Sequence, residues 1–156
     1  MQNWPLLGTH LLSTLIWLPI VGGALALALG SQRAQAARWL ALAVALVTFA
    51  LSVSLLAGFD YFTSALQFVE RREWIPAYDI QYHLGADGIS VALIVLTTLT
   101  TALVLIGAWG SIDKRANQYV AAFLFLEGLM IGVFTAVDAM LFYVFFEGML
   151  IPMFII

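Results

Sequence analysis

Two glutamates lie inside apolar runs that hold no other charge, and they are the residues best suited to chemistry. Glu147 lies in the run 140–156, and Glu127 lies in the run 123–131. A carboxyl group at the centre of a bilayer costs roughly 2.5–3.5 kcal/mol on insertion scales, so such groups usually face a protein or water-filled interior and mark ion or proton paths. The alternative is a neutral acid that is hydrogen-bonded for packing alone.

The spacing of the two acids around one turn predicts that they lie at the same depth. The turn between the last two predicted helices centres near Val137, ten residues after Glu127 and ten before Glu147. At 1.5 Å of rise per residue, each acid lies about 15 Å from the turn, half of a hydrocarbon core about 30 Å thick. Burial favours the protonated form of a carboxyl, and a second acid nearby favours it further. An acid poised in this way can load and release a proton, which is the chemistry of a proton pump.

Pro152 adds a backbone feature beside Glu147. A proline cannot donate to the carbonyl four residues earlier, which here belongs to Gly148. A freed carbonyl in lipid must find water, a side chain or another helix. We therefore expect a bent and hydrated backbone next to Glu147; an ordinary proline kink is the alternative.

Composition makes lipid the solvent of this chain. The 156 residues are 63% hydrophobic and 10% charged, with a mean hydropathy of +1.03, whereas soluble domains are about 45–50% apolar and about 25% charged. The absence of cysteine excludes thiolate metal and iron–sulfur sites, and the two histidines, His10 and His83, are too far apart in sequence to suggest a metal site. The net charge of −3 gives no basic footprint for nucleic acid.

Apolar stretches of about 20 residues, the length that spans a bilayer, predict an all-α membrane protein of up-and-down transmembrane helices. Residues 1–156 form one transmembrane domain, with spans over 11–29, 39–59, 89–109, 119–137 and 139–156, the last running to the end of the sequence. Positive residues concentrate in cytoplasmic loops. Arg33 and Arg38 in the first loop, and Lys114 and Arg115 in the third, therefore predict an external N-terminus.

The long second loop predicts a short external hairpin between helices 2 and 3. Apolar and polar residues alternate over 78–85, which is a strand pattern, and residues 66–70 suggest its partner strand. The charged run 70–73 is predicted to be the solvated tip. Asp87 and Asp138 are placed to cap the third and fifth helices, and Gly128 and Gly132 fit the small-xxx-small pattern of close helix packing.

Several motifs resemble one family. The run 141–154, Leu-Phe-Tyr-Val-Phe-Phe-Glu-Gly-Met-Leu-Ile-Pro-Met-Phe, resembles the fifth-helix signature of subunit M of bacterial respiratory complex I (NADH–quinone oxidoreductase), the counterpart of mitochondrial chain 4. Residues 74–76, 83–85 and 87–90 resemble the loop and third-helix entrance of that family, and 127–134 resembles its fourth helix. The first two helices are generic.

The resemblance implies the N-terminal portion of an antiporter-like subunit of a proton-pumping enzyme. Glu147 matches a glutamate of the proton path that pairs with a lysine on a later helix, and Glu127 is a candidate second acid of that path. The implied partners are other membrane-arm subunits and the lipid of a bacterial inner (cell) membrane, with a periplasmic N-terminus. NAD, FMN, the iron–sulfur clusters and quinone are expected in the wider complex, so we expect no cofactor in this chain.

Two other functions stay open at this point. One is a subunit of a multisubunit sodium/proton antiporter, which would exchange sodium for protons without NADH oxidation. The other is an inactive, truncated membrane fragment, because no lysine lies inside a predicted span and the apolar run at Ile156 has no polar flank. The same features lead us to expect that the chain is part of a longer membrane protein.

Overall fold

A computed structural model describes residues 10–112 and 114–156 as a bundle of five helices with one small hairpin. The first four helices in this part of the chain are long and apolar enough to cross a membrane, and the fifth is a shorter apolar helix. The predicted fold class, including the hairpin between helices 2 and 3, is confirmed. The helices are α1 Leu11–Ala28, α2 Ala34–Ala57, α3 Gly88–Gly107, α4 Ala116–Thr135 and α5 Ala139–Ile155; the strands are β1 Gln67–Ile75 and β2 Ile80–Ala86.

Helix α4 lies at the centre of the bundle. It packs against α1, α2, α3 and α5, whereas α5 packs mainly against α4 and strand β2. Helices α2 and α4 begin five and three residues before the predicted spans, at Ala34 and Ala116. The extra turns carry polar residues such as Gln35 and Asn117, because a helix can continue past the apolar stretch that the span prediction counts.

Two glycines of α4 let its neighbours approach closely. A Cβ on Gly128 would lie 2.6 Å from the carbonyl oxygen of Ile16 in α1, and a Cβ on Gly132 would lie 2.7 Å from the ring of Phe145 in α5. The predicted small-residue contact is confirmed. A methyl group at either position would force the facing atoms to shift, so glycine allows the closest approach of the helices.

The two predicted helix caps are present. The Ser90 amide donates to Asp87 Oδ1 at 2.7 Å, and the Met140 amide donates to Asp138 Oδ1 at 2.8 Å. The backbone hydrogen bond from Ser90 holds the pKa of Asp87 below its ordinary value. The backbone hydrogen bond from Leu141 does the same for the pKa of Asp138.

The hairpin turns at a different place from the predicted one. Residues 70–73 lie within β1, where Glu70 is opposite Leu84 of β2, and the connection is a 3-10 turn over Pro76–Tyr78. The prediction of a solvated tip at 70–73 is therefore wrong. Proline decides the turn, since it fixes φ and cannot donate to a strand ladder, whereas charged residues can remain in an edge strand.

Glu70 has a structural role that its charged neighbours do not share. It is 7% exposed and accepts hydrogen bonds from the Ser13 amide, at 3.0 Å, and from the Ser13 hydroxyl. His10 Nδ1 lies 3.7 Å from Glu70 Oε2. Because Ser13 is in the first turn of α1, the hairpin supplies the acceptor that this helix end lacks.

Candidate functional site

Glu127 lies on the face of α4 that packs toward α3. The residue is 1% exposed, and neither carboxylate oxygen has a hydrogen-bond partner among the described residues. It borders a cavity of about 220 Å³, which we call the Glu127 cavity. Its other lining residues are Leu96, Thr97, Thr100, Thr101 and Val104 of α3, and Phe123, Leu126 and Met130 of α4.

Glu147 lies in different surroundings on α5. Its side chain is exposed in the described chain, and the Tyr143 phenol, one turn earlier on α5, lies near its carboxylate. The buried residues of α5 are Leu141, Phe145 and Pro152. Glu147 therefore lies on the side of α5 that the described helices leave open.

The structure does not bring the two acids into one site. The contacts of α4 with α5 include Leu129 against Gly148 and Gly132 against Phe145. At about 100° per residue, Glu127 is turned about 160° from Leu129 and about 140° from Gly132. Glu127 thus faces away from α5, toward α3.

The backbone beside Glu147 borders a second cavity. Gly148 and Pro152 line it together with residues of α4 that include Leu129 and Gln118, and its volume is about 590 Å³. The lining is mainly apolar, so the structure supplies few side-chain partners for the Gly148 carbonyl that Pro152 frees. Hydration of that carbonyl stays a prediction.

The histidines lie at the hairpin side of the bundle. His83 is opposite Arg71 in the hairpin, and His10 contacts Glu70. Among the residues described, no group of three or more His, Asp or Glu side chains is placed to hold a metal ion.

The threonines of α3 are the site residues that sequence reasoning missed. Thr97, Thr100 and Thr101 line the Glu127 cavity, while Thr98 faces α2 and its hydroxyl lies 2.8 Å from that of Ser52. The available signal was their i, i+3, i+4 spacing, which places three hydroxyls on one face of a helix.

Comparison with known proteins gives one consistent result. The family model described as "NADH-ubiquinone oxidoreductase chain 4, amino terminus" matches residues 35–137. The chain is similar to NADH-quinone oxidoreductase subunit M of Rhodobacter capsulatus, with 45% identity over 94% of this chain and 29% of that protein. It is also similar to NADH-ubiquinone oxidoreductase chain 4 of Arabidopsis thaliana, with 41% identity over 93% of this chain and 29% of that protein.

A solved structure agrees with these relatives. A chain of respiratory complex I from Thermus thermophilus with bound NADH superposes with a TM-score of 0.73 and 28% identity, over 90% of this chain and 27% of that one. The present chain spans 29% of the length of the two relatives named above.

Proposed function

The chain belongs to the NADH-ubiquinone oxidoreductase chain 4 family, and from this premise we propose that it is the N-terminal, proton-translocating portion of a membrane-arm subunit of NADH–quinone oxidoreductase. The proposal is made for the full-length protein, since this chain covers 29% of its relatives. In this role the subunit couples NADH oxidation and quinone reduction to proton transport and carries no redox centre itself.

Glu147 carries the proposal. Its carboxyl lies in an otherwise uncharged helix, on the open side of α5, with the Tyr143 phenol beside it. An acid in such a helix is retained at a cost, and a position on the open side allows a cationic group on a further element to pair with it. A pairing that forms and breaks would change the proton affinity of the carboxyl and so move a proton.

The same proposal covers location and partners. The positive residues in the first and third loops favour a cytoplasmic position for those loops, and the proposal therefore includes a periplasmic N-terminus in a bacterial inner membrane. The exposed faces of α5 would contact other parts of the membrane arm. Glu127 would serve as a second acid of the proton path, on the α3 side of α4.

The test is Glu147→Gln in the full-length protein within the assembled complex. We expect normal assembly, with proton pumping and quinone-linked NADH oxidation lowered at least about tenfold, because the amide cannot transfer a proton. Inverted membrane vesicles allow both rates to be measured, with a pH-sensitive dye and by NADH absorbance. Glu127→Gln should have a smaller effect.

Glu73→Gln is the matched control, since Glu73 is exposed on the hairpin and loses the same charge. Unchanged pumping in an assembled Glu147→Gln complex would refute the role of Glu147. Sodium-dependent proton exchange without NADH oxidation would instead favour the sodium/proton antiporter, against which the names of the relatives speak.

A further inference from the structure

We infer that the Glu127 cavity holds water and gives Glu127 access to protons from the end of the bundle where α3 connects to α4. This inference deepens the proposed function, because it gives the second acid a route that does not pass through Glu147. It rests on three features of the cavity: an unpartnered acid, hydroxyls that can only accept, and a polar lining that runs toward that end of the bundle.

The first feature is the lack of any partner for the acid. Both oxygens of Glu127 are buried without a hydrogen bond among the described residues. Buried polar atoms in native proteins are nearly always paired with protein groups or ordered water. Burying a polar group without a hydrogen bond costs free energy. The adjoining cavity of about 220 Å³ has room for several waters.

The second feature is the state of the threonine hydroxyls. Thr97 donates to the Leu93 carbonyl at 2.8 Å, Thr100 to the Leu96 carbonyl at 2.7 Å, and Thr101 to the Thr97 carbonyl at 3.0 Å. With their hydrogens committed to the backbone, the hydroxyls offer only lone pairs to the cavity. They can accept from water or from a protonated carboxyl, but they cannot donate to a carboxylate.

The third feature is the direction in which the polar lining runs along α3. Toward the hairpin, α3 and α4 are joined by the hydrogen bond from the Ser90 hydroxyl to the Phe134 carbonyl, at 2.7 Å. In the other direction Thr100, Thr101 and Val104 line the cavity, and they lie in the half of α3 nearer Gly107. Thr97 and Thr101 are one turn apart, so the polar lining leads from the level of Glu127 toward the loop that carries Lys114.

A sodium ion fits this cavity less well than water and a proton do. A hard cation needs several oxygen ligands at once. No threonine hydroxyl here is hydrogen-bonded to the carboxylate of Glu127, so the oxygens do not form an assembled cage. The threonine hydroxyls can only accept hydrogen bonds, so they can pair with the protonated form of Glu127 but not with its carboxylate.

Cysteine accessibility tests the inference directly, because residues 1–156 contain no cysteine and the full-length protein without an introduced cysteine gives the background labelling. Thr100→Cys and Thr101→Cys would be introduced separately into the full-length protein in the assembled complex. Each would be treated with a membrane-impermeant cationic methanethiosulfonate in right-side-out and inverted vesicles. This reagent labels thiolates, which form where water reaches the sulfur. Labelling would be measured on this chain after purification.

The controls lie on the same helix. Leu103→Cys is on an exposed face, with Leu103 at 59% exposure, and tests labelling from lipid. This control is needed because Thr100 is also exposed, whereas Thr101 is buried. Thr98→Cys replaces a buried threonine whose hydroxyl contacts Ser52, and tests a dry hydroxyl site. We expect labelling of Thr100→Cys and Thr101→Cys to be at least about tenfold faster than that of either control, faster in inverted vesicles, and insensitive to sodium.

The opposite results are equally clear. If neither cavity position is labelled faster than Leu103→Cys, lipid or side chains fill the cavity and the inference is wrong. Faster labelling from the hairpin side would contradict the direction, and protection by sodium would indicate a cation site instead. Labelling requires no turnover, so the two ideas can fail separately. The cavity positions can stay unlabelled while Glu147 proves essential for pumping, and they can be labelled while Glu147→Gln leaves pumping unchanged.

Discussion

Gly128→Ala is expected to destabilise the bundle through the contact between α1 and α4. The new methyl carbon would lie 2.6 Å from the Ile16 carbonyl oxygen and 2.6 Å from Ile20 Cγ1. Non-bonded carbon atoms are normally about 3.5–4.0 Å apart, so the helices must separate by about 1 Å. The Ile20 side chain can change rotamer, but the Ile16 carbonyl is fixed in the backbone of α1.

The magnitude follows from two opposing effects. Overpacking of this kind costs about 1–3 kcal/mol, and replacing glycine by alanine inside a helix returns about 0.5–1 kcal/mol. The net loss is then about 0–2.5 kcal/mol, with a central value of about 1 kcal/mol. Because Gly128 follows Glu127 directly, the displacement of α4 should also disturb the acid, and we expect lower pumping alongside lower stability.

Thermal denaturation of the full-length protein in the purified complex measures the effect. Gly107→Ala is the matched control, because nothing lies within 4 Å of a Cβ at that position and only the gain in helix propensity remains. The thermal midpoint is expected to be highest for Gly107→Ala, intermediate for the parent protein and lowest for Gly128→Ala. A Gly128→Ala protein as stable as the Gly107→Ala protein would refute the close approach of α1 and α4.

Two further predictions concern the hairpin and the caps. Glu70→Ala should loosen the hairpin and lower the free energy of unfolding by about 1 kcal/mol, the usual cost of losing an acceptor at a helix N-terminus. Limited proteolysis should cut the hairpin of this variant faster than that of Glu73→Ala, the control at an exposed site. Equal rates would contradict the contact with Ser13. The folded-state pKa of Asp87 is lowered from 3.8 by its hydrogen bonds with Ser90, so its contribution to stability is present above that value and is lost as the pH falls through the folded-state pKa. Asp87→Asn should therefore reduce the acid-induced loss of thermal stability below pH 3.8, and an unchanged pH profile would show that the cap does not titrate in this range.

Sequence predicted the features that depend on local chemistry. The helices follow from apolar length, and Asp87 and Asp138 cap helices because a short carboxylate before a helix start meets free amides in any fold. Gly128 and Gly132 were recognisable because close packing needs small residues at a spacing of four. Each of these inferences uses only residues near one another in the chain.

The failures depend on contacts between distant segments. Glu70 reads as a surface residue within a charged run, and only the meeting of β1 with α1 makes it an acceptor for Ser13. Predicting the cavity around Glu127 requires knowing how α3 is rotated relative to α4. The sequence does not determine this rotation, because nearly every face of these helices is apolar. Periodicity gives the depth of an intramembrane acid but not the neighbour that it faces.

The separation of the two acids limits how strongly one can control the other. Glu127 faces α3 and Glu147 lies on α5, so at least the width of α4, about 10–12 Å, lies between them. At 12 Å and an effective dielectric constant of about 20, two unit charges interact by about 1.4 kcal/mol, which is about tenfold in a proton equilibrium. The expectation that each acid is held protonated by a close second acid is therefore weakened, because the two carboxyls are not close. Glu127 must be governed by the water and hydroxyls of its own cavity, and Glu147 by Tyr143 and by whatever group approaches the open side of α5.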